Sequence, residues 1–446
     1  MAIKASHNAT SDNNRIESAL QGGAVVTRFV KGLSYLVGGT AFAQALGVLI
    51  APVLTRIYDP TEFGALGVYV STLGLISVFS ALKYESAITL PSSHRTAANL
   101  LALSLLVNAT VSALTALVCW GGLIYRRGDT GEHMHFVLLL LPVGVLAVGT
   151  YRTLSYWAIR RGYYDLLART KASQALGSVG AQVGLGLLRV GALGLIVGNI
   201  IGQSSGIRTI GRRLLNTENV YVRSISWKRI WGVGYRYRRF PQIAAIGSVF
   251  NSAGLNVGPL MFATLYGAEV AGFFTLADRI ISAPINLIGT SAAQVIQGEA
   301  SRIRRDARQL RKMVTRIMLA LGGVGAVLAG AVAIGGPWLF AFVFGEEWIT
   351  AGTFARLMSG YAFAKFLGLP LSQLLIVLER QGTWTLWSIG RLLLVVAAVV
   401  IPHWLEWGAS AAVASMSITM ALLYGIVIVL ALAAVGKGTG MRARSD

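Results

Sequence analysis

Cysteine is all but missing from this chain of 446 residues. The single one, Cys119, sits in an apolar stretch, so no internal disulfide and no cysteine-based metal site can form. Histidine is scarce too, with five in all, at positions 7, 94, 133, 135 and 403, in the tail, the loops or the ends of apolar runs. His133 and His135 share one short loop, but a metal site needs a third ligand and none is evident. Acids are few, 18 Asp and Glu against 39 Lys and Arg, and no G-x-x-x-x-G-K-[ST] run occurs, so built-in ATP hydrolysis is not expected. The first thirty residues, from "MAIKASHNATSDNNR", lack an apolar h-region and read as a polar cytoplasmic tail rather than a cleaved signal peptide. Nothing here supports bond-making chemistry, and no cofactor is expected.

What is present is apolar length. Hydrophobic residues make up 54% of the chain and charged residues 13%, with a mean hydropathy of +0.63. Runs of about 17–25 apolar residues recur, long enough to cross hydrocarbon about 30 Å thick. Twelve spans are expected, at 33–55, 64–82, 98–121, 135–158, 170–188, 190–207, 240–262, 270–293, 315–335, 351–374, 383–402 and 408–433. Positive loops stay on the cytoplasmic side. With both termini cytoplasmic, thirty of the 39 basic residues fall on that side, and Arg56, Arg126, Arg127 and Arg189 fall on the other. Arg152, Arg279, Arg356, Lys365 and Arg391 remain within spans. The basic runs "RTIGRRLL", "WKRIWGVGYRYRRF" and "SRIRRDARQLRK" then line the anionic inner leaflet, which accounts for the net charge of +21 without nucleic acid. Loops are too short for a soluble catalytic domain on either side.

The chain repeats itself. "QALGVLIAP" (44–52) and "NSAGLNVGP" (251–259) both place an amide, then a glycine three residues on and a proline eight residues on. Gln44, Gly47 and Pro52 thus match Asn251, Gly254 and Pro259. Just beyond, "YDPTEFG" (58–64) and "YGAEVAG" (266–272) share a Tyr, a Gly six residues later and an acid between. The expected organisation is a cytoplasmic tail (1–31), an N-terminal six-helix lobe (32–210), a basic cytoplasmic linker (211–236), a C-terminal six-helix lobe (237–434) and a C-terminal tail (435–446). Pro52 and Pro259 each remove a backbone hydrogen bond and read as kinks or hinges; prolines that merely occur in membrane helices are the plainer account. Gly194, Gly198, Gly202 and Gly206 recur every fourth residue in the sixth span, a close-packing face within the N-terminal half or, alternatively, a dimer interface.

With these residues in view, the sequence resembles a known family. "LTRIYDPTEFGALGVYVSTLGLISVFSALKYESAITLP" (54–91) resembles the opening of the bacterial polysaccharide-repeat flippases, members of the multidrug/oligosaccharidyl-lipid/polysaccharide exporter superfamily. "YWAIRRGYYDLLARTKASQALGSV" (156–179) resembles the family's stretch joining spans four and five. "FFTLADRIISAPINLIGTSAAQVI" (273–296) is similar to the eighth span of the related peptidoglycan-precursor flippases, whose two extra C-terminal spans are missing here. The resemblance implies an all-α polytopic membrane protein, two six-helix lobes around a central cavity lined mainly by spans 1, 2, 7 and 8. It also implies movement of a polyprenyl-diphosphate-linked oligosaccharide between leaflets of a bacterial inner membrane, beside a polysaccharide polymerase and a chain-length regulator.

Ionisable residues at bilayer depth cost at least ~2.5 kcal/mol each and mark function by default. Five basic residues within spans against one clear acid, Asp278, suit a diphosphate better than a cationic drug. Arg279, Lys365 and Arg152 are the candidates for the diphosphate, with Gln44, Asn251, Asn256 and Asn286 as polar lining. Adjacent on one helix, Asp278 and Arg279 point about 100° apart, so Arg279 shares a face with Asn286 while Asp278 aligns with Thr275 and Ser282. Asp278 and Glu85, the latter beside Lys83, are candidates for proton or sodium coupling or for holding the bases; an interhelical salt bridge that only locks packing is the plainer reading of Asp278. Arg356, near a span end, is expected to snorkel or to meet Glu346 or Glu347, and Arg391 to be structural. A multidrug or metabolite exporter of the same fold is the competing function, and a membrane glycosyltransferase or polymerase the more distant one.

Overall fold

Twelve long α-helices make up the computed structural model, which describes residues 37–125, 132–294, 296, 307–377 and 381–437. They are α1 (Val37–Leu54), α2 (Pro60–Ile76), α3 (His94–Tyr125), α4 (Glu132–Arg160), α5 (Tyr164–Leu187), α6 (Ala192–Thr217), α7 (Ala245–Tyr266), α8 (Ala268–Gln294), α9 (Ala307–Phe344), α10 (Ile349–Val377), α11 (Gln381–Trp404) and α12 (Ala409–Lys437). The fold is all-α, with no strand among the described residues, and each helix falls on one of the twelve expected spans. The N-terminal tail (1–31), residues 438–446 of the C-terminal tail, Arg126, Arg127 and the basic stretch 301–306 lie outside the described residues.

Among the described residues, seven helices are long and apolar enough to cross a membrane on their own composition: α1, α3, α4, α8, α9, α11 and α12. The other five are shorter in apolar run and richer in Gly, Ser and Thr. α2 shows why such a helix is tolerated: most of its first fourteen residues are buried among other helices, so lipid solvates little of it.

Local sequence sets the breaks. α2 opens on a capping box: the Asp59 carboxylate accepts from the Glu62 amide at 2.9 Å, Glu62 accepts from the Asp59 amide at 2.9 Å, and Pro60 occupies the first turn. The expected span 64–82 is shorter than its hydropathy suggests. α2 ends at Ile76, and Leu82 and Lys83 both take positive φ (46° and 64°) before a short helix, Tyr84–Ala87. The chain thus leaves helical geometry while its residues are still apolar. Pro52 interrupts α1, where Val53 bonds back to Ile50 only three residues away. Pro284 in α8 is followed by a π turn, Ile285–Gly289.

Packing separates two groups. α3 packs on α4, α4 on α6, and α5 on α6; α7 packs on α11, α10 on α9 and α12, and α11 on α12. α2 bridges them through α7 and α8. The small-residue face of α6 lies against α5 within the first group: a methyl at Gly198 or Gly202 would overlap Gln182 or Ser178, and one at Gly206 would overlap Tyr151. That seam is the packing role expected of the glycine repeat, not a dimer interface.

The internal repeat is visible in the contacts. Tyr58, just past α1, donates its hydroxyl to the Gln182 carbonyl of α5 at 2.6 Å, and Tyr266, at the end of α7, donates to the Val399 carbonyl of α11 at 3.4 Å. The fifth helix of each half thus receives the matching tyrosine. Where α2 crosses α8, the repeat-related glycines Gly64 and Gly272 meet. A methyl on Gly64 would run into the Ala268 carbonyl and one on Gly272 into the Pro60 carbonyl, and Pro60 and Ala268 are themselves repeat partners. The two halves therefore meet backbone to backbone, on a local two-fold, near the first turns of α2 and α8.

A polar knot ties down the other end of the bundle. Glu218, 2% exposed, follows α6 and accepts from Trp157 Nε1 (2.9 Å), Arg161 Nε (2.7 Å) and the Tyr163 hydroxyl (2.5 Å). Its hydrogen bond and charge hold Arg161 protonated, raising that guanidinium's pKa above its ordinary value.

Candidate functional site

α8 carries two of the candidate residues, Asp278 and Arg279, adjacent in sequence and turned to different places. Arg279, half-buried, points at α1 and donates Nη2 to the Gly47 carbonyl at 3.2 Å. A methyl at position 47 would lie 3.8 Å from Nη2, in ordinary van der Waals contact with the guanidinium. One of five N–H donors is engaged in this way, and the rest of the fork is available for an anion.

Asp278 turns the other way, into the second group of helices. The Ser282 hydroxyl donates to its carboxylate at 3.1 Å, and Lys365 Nζ of α10 donates to the same hydroxyl at 3.2 Å. Lys365 is 9% exposed, with Nζ 5.3 Å from the Tyr361 ring, and Tyr361 packs on Tyr424 of α12. Ser282 thereby relays between an acid and a base that make no direct ion pair, unlike Arg161 and Glu218, which meet at 2.7 Å. The four-residue spacing of Asp278 and Ser282 made the first link visible in sequence. The link to Lys365 crosses 83 residues and was not.

The intramembrane bases therefore divide. Arg391, 1% exposed, donates Nη2 to the Asn251 carbonyl (2.7 Å) and to its side-chain oxygen (3.0 Å), and stacks 4.7 Å from the Trp387 ring centroid. It locks α11 to α7 and takes Asn251 with it. Arg356 is exposed and forms no ion pair with Glu346 or Glu347. Arg152 donates to the Ser77 carbonyl at 2.8 Å and lies 3.4 Å from the Ser77 hydroxyl, so it caps the C-terminal end of α2, where carbonyls lack helical partners. Glu85, 1% exposed, sits in electrostatic reach of Lys83 and Tyr156, and its Oε2 has no hydrogen-bond partner among the described residues.

Of the remaining polar candidates, Asn256 turns back on its own helix, donating to the Ser252 carbonyl (2.9 Å), while its side-chain oxygen faces Gly74 of α2. The Asn286 carbonyl accepts from Thr290. Pro259 lies inside α7. Gln44 lines an apolar cavity of about 500 Å³ between α1, α8, α9 and α10, walled by Val48, Ile281, Pro284, Leu328 and Phe363 among others. Gln44 is one turn from Gly47, whose carbonyl holds Arg279; Arg279 itself does not line this cavity, and its neighbours Ile280 and Ile281 do. A second, smaller cavity of about 170 Å³ opens between α1, α5 and α8, lined by Thr40, Lys171, Thr290, Ser291 and Gln294. Lys171 was missed in the sequence because it stands at a span boundary, where a lysine reads as part of the cytoplasmic charge.

α8 can thus offer a guanidinium to an anion on one face and an apolar wall on another, and it keeps an acid and a base in touch through a hydroxyl. Comparison with known proteins fits it. The chain is 23% identical over 164 residues to the lipopolysaccharide biosynthesis protein WzxC of Escherichia coli, covering 36% of this chain and 33% of that protein. It is 28% identical over 151 residues to the teichuronic acid biosynthesis protein TuaB of Bacillus subtilis, covering 32% and 30%. The chain thus matches about a third of the length of each relative. Among solved structures, it is similar to an inward-facing multidrug resistance MATE family transporter of the MOP superfamily, with a TM-score of 0.69 and 16% identity over 91% of this chain and 96% of that one. A MOP superfamily transporter from Pyrococcus furiosus gives 0.63 and 12% over 92% and 97%. These likenesses establish the fold as that of a polytopic membrane transporter. The signature of the polysaccharide biosynthesis protein family extends over residues 53–352, from the end of α1 into α10, and on that match the chain belongs to this family.

Proposed function

We propose that the protein is a flippase that carries a polyprenyl-diphosphate-linked oligosaccharide repeat unit from the cytoplasmic to the outer leaflet of a bacterial inner membrane, for surface polysaccharide synthesis. The observation that carries this reading is that α8 presents Arg279 toward α1 on one face and, with Ile280, Ile281 and Pro284 on another, walls an apolar cavity of about 500 Å³. A polyprenyl-diphosphate-linked glycan joins a diphosphate to a long hydrocarbon. A guanidinium suits the first part as a bidentate donor, and the apolar wall suits the second. Membership of a polysaccharide biosynthesis family, and the roles in lipopolysaccharide and teichuronic acid biosynthesis given in the names of WzxC and TuaB, support the same substrate class.

In this reading both termini face the cytoplasm, and the two groups of helices, residues 32–210 and 237–434, rock about α2 and α8 in alternating access. Arg279 meets the diphosphate first. Lys171, at the basic end between α1, α5 and α8, takes over part of the role expected of Lys365 and Arg152. Asp278, relayed to Lys365 through Ser282, and Glu85, beside Lys83, are the acids at which proton or sodium coupling would act. The protein makes no bonds; a polymerase and a chain-length regulator work on the product it delivers.

Depleting the protein and analysing extracted polyprenyl-diphosphate glycans by mass tests this. One complete repeat unit accumulates, and wild type clears it, but Arg279→Ala at equal abundance does not. The fold shared with multidrug transporters keeps a second reading, cation export; under it no glycan accumulates, and depletion instead sensitises cells to cationic drugs, with Asp278→Asn as the inactive variant.

A further inference from the structure

After α6 the chain forms a short turn, Asn219–Val222, and then a ten-residue helix, Trp227–Arg236. One face of this helix is fixed to the bundle. Ile230 and Val233 are buried, the Gly234 carbonyl accepts from the Tyr84 hydroxyl at 3.2 Å, and Asn99 of α3, 1% exposed, accepts from the Ser226 amide at 3.1 Å. The opposite face carries Trp227, Trp231 and Tyr235 at four-residue spacing, 65%, 68% and 69% exposed. Aromatics on one open face of a helix that runs beside transmembrane spans belong to the headgroup layer, where an apolar ring and a polar edge are both satisfied.

Beneath that stripe lies a cavity of about 420 Å³, lined by Arg95, Thr96, Asn99, Arg229, Gly232, Val233 and Arg236. Three guanidinium groups line it, no carboxylate does, and none of the three is in an ion pair among the described residues. Arg229 uses one N–H on the Ser224 carbonyl at 3.1 Å, and Arg236 rests 5.7 Å from the Tyr237 ring centroid; the remaining donors are free to converge on a ligand. Arg95 and Thr96 stand in the first turn of α3, whose backbone N–H groups lack helical acceptors and add positive potential.

We infer that this cavity binds the phosphodiester of an anionic phospholipid, with Trp227 and Trp231 seated in the same headgroup layer beside it. A soluble phosphate would require the arginines but not the aromatic face. Substrate is a poorer fit, because α3 packs on α4 and on this segment rather than on the helices that flank Arg279. The site is a lipid clamp on the outer flank of the first helix group, separate from the path proposed for the glycan and independent of it.

The test is native mass spectrometry of the purified full chain titrated with phosphatidylglycerol or phosphatidylcholine. Wild type binds phosphatidylglycerol selectively, and R95Q/R229Q/R236Q binds it about a hundredfold more weakly. R311Q/K312Q/R316Q, which removes the same charge elsewhere, binds as wild type. The single variant Arg95→Gln shows a smaller loss in the same direction, which guards against misfolding of the triple variant. Equal affinity for the two lipids, or equal losses in the two triple variants, would overturn the proposal. So would displacement of phosphatidylglycerol by glycerol phosphate at matched concentration, which would make this a soluble-phosphate site.

Discussion

Gly272→Ala should loosen the contact between the two halves of the molecule. In the structure a methyl at position 272 overlaps the Pro60 carbonyl, and Pro60 cannot move freely because it belongs to the capped first turn of α2. Overpacking of this kind costs about 1–3 kcal/mol. The penalty falls only on conformations in which α2 and α8 touch here, so the open-to-closed ratio at this end should rise by about 5- to 150-fold. Spin labels at Thr61 and Glu269, in a Cys119→Ser background, flank the crossing, and their distance distribution should broaden toward longer separations. A chain with no accessible open state will instead show the same penalty as a lower melting temperature. If neither the distances nor the melting temperature differ from wild type, the glycine contact does not hold this end closed. Gly64→Ala gives an independent replicate, because the same overlap recurs against the Ala268 carbonyl.

Three further outcomes follow from the polar contacts. Glu218→Ala leaves Trp157 Nε1 and the Tyr163 hydroxyl without their acceptor, so stability should fall by about 2–4 kcal/mol, with faster proteolysis between residues 219 and 236; unchanged digestion would show that Glu218 does not anchor that segment. Arg391→Ala removes both bonds to Asn251 and leaves a void beside Trp387, for a loss of about 3–5 kcal/mol seen as a lower yield of folded protein, with the activity of each surviving molecule little changed. Lys365→Met should be more damaging alone than together with Asp278→Asn, since the double variant leaves no lone buried charge; a coupling energy of about 1–3 kcal/mol in the double-mutant cycle is expected, and strict additivity would show that the Ser282 relay carries no energy.

Helix number and internal repeat were legible because hydrocarbon imposes length and a repeat imposes spacing. The Tyr58 and Tyr266 tethers show how far this goes: the shared pattern was readable, but its acceptors, Gln182 and Val399, are backbone carbonyls that any residue would supply. The second span was read too long, since hydropathy does not register that Leu82 and Lys83 leave helical geometry. The divergence of Asp278 and Arg279 came directly from 3.6-residue periodicity. What each one touches did not, because Lys365 and Gly47 reach them only through tertiary packing. Lys171 was hidden by position: at a helix end, the same lysine serves topology or a cavity, and only the neighbouring helices decide which.

The seam between α5 and α6 has a dynamic consequence. The glycines meet Ser178 and two side chains pinned by their own hydrogen bonds, Gln182 on the Leu195 carbonyl and Tyr151 on Thr170, so the interface has almost no soft coordinates through which a displacement could dissipate. Force applied to α6, through Glu218 and the segment that follows it, should then reach α5 and the Tyr58 tether nearly undiminished. The first half of the molecule would respond as a stiff lever, with the bending left to the proline-interrupted α1 and the π turn of α8.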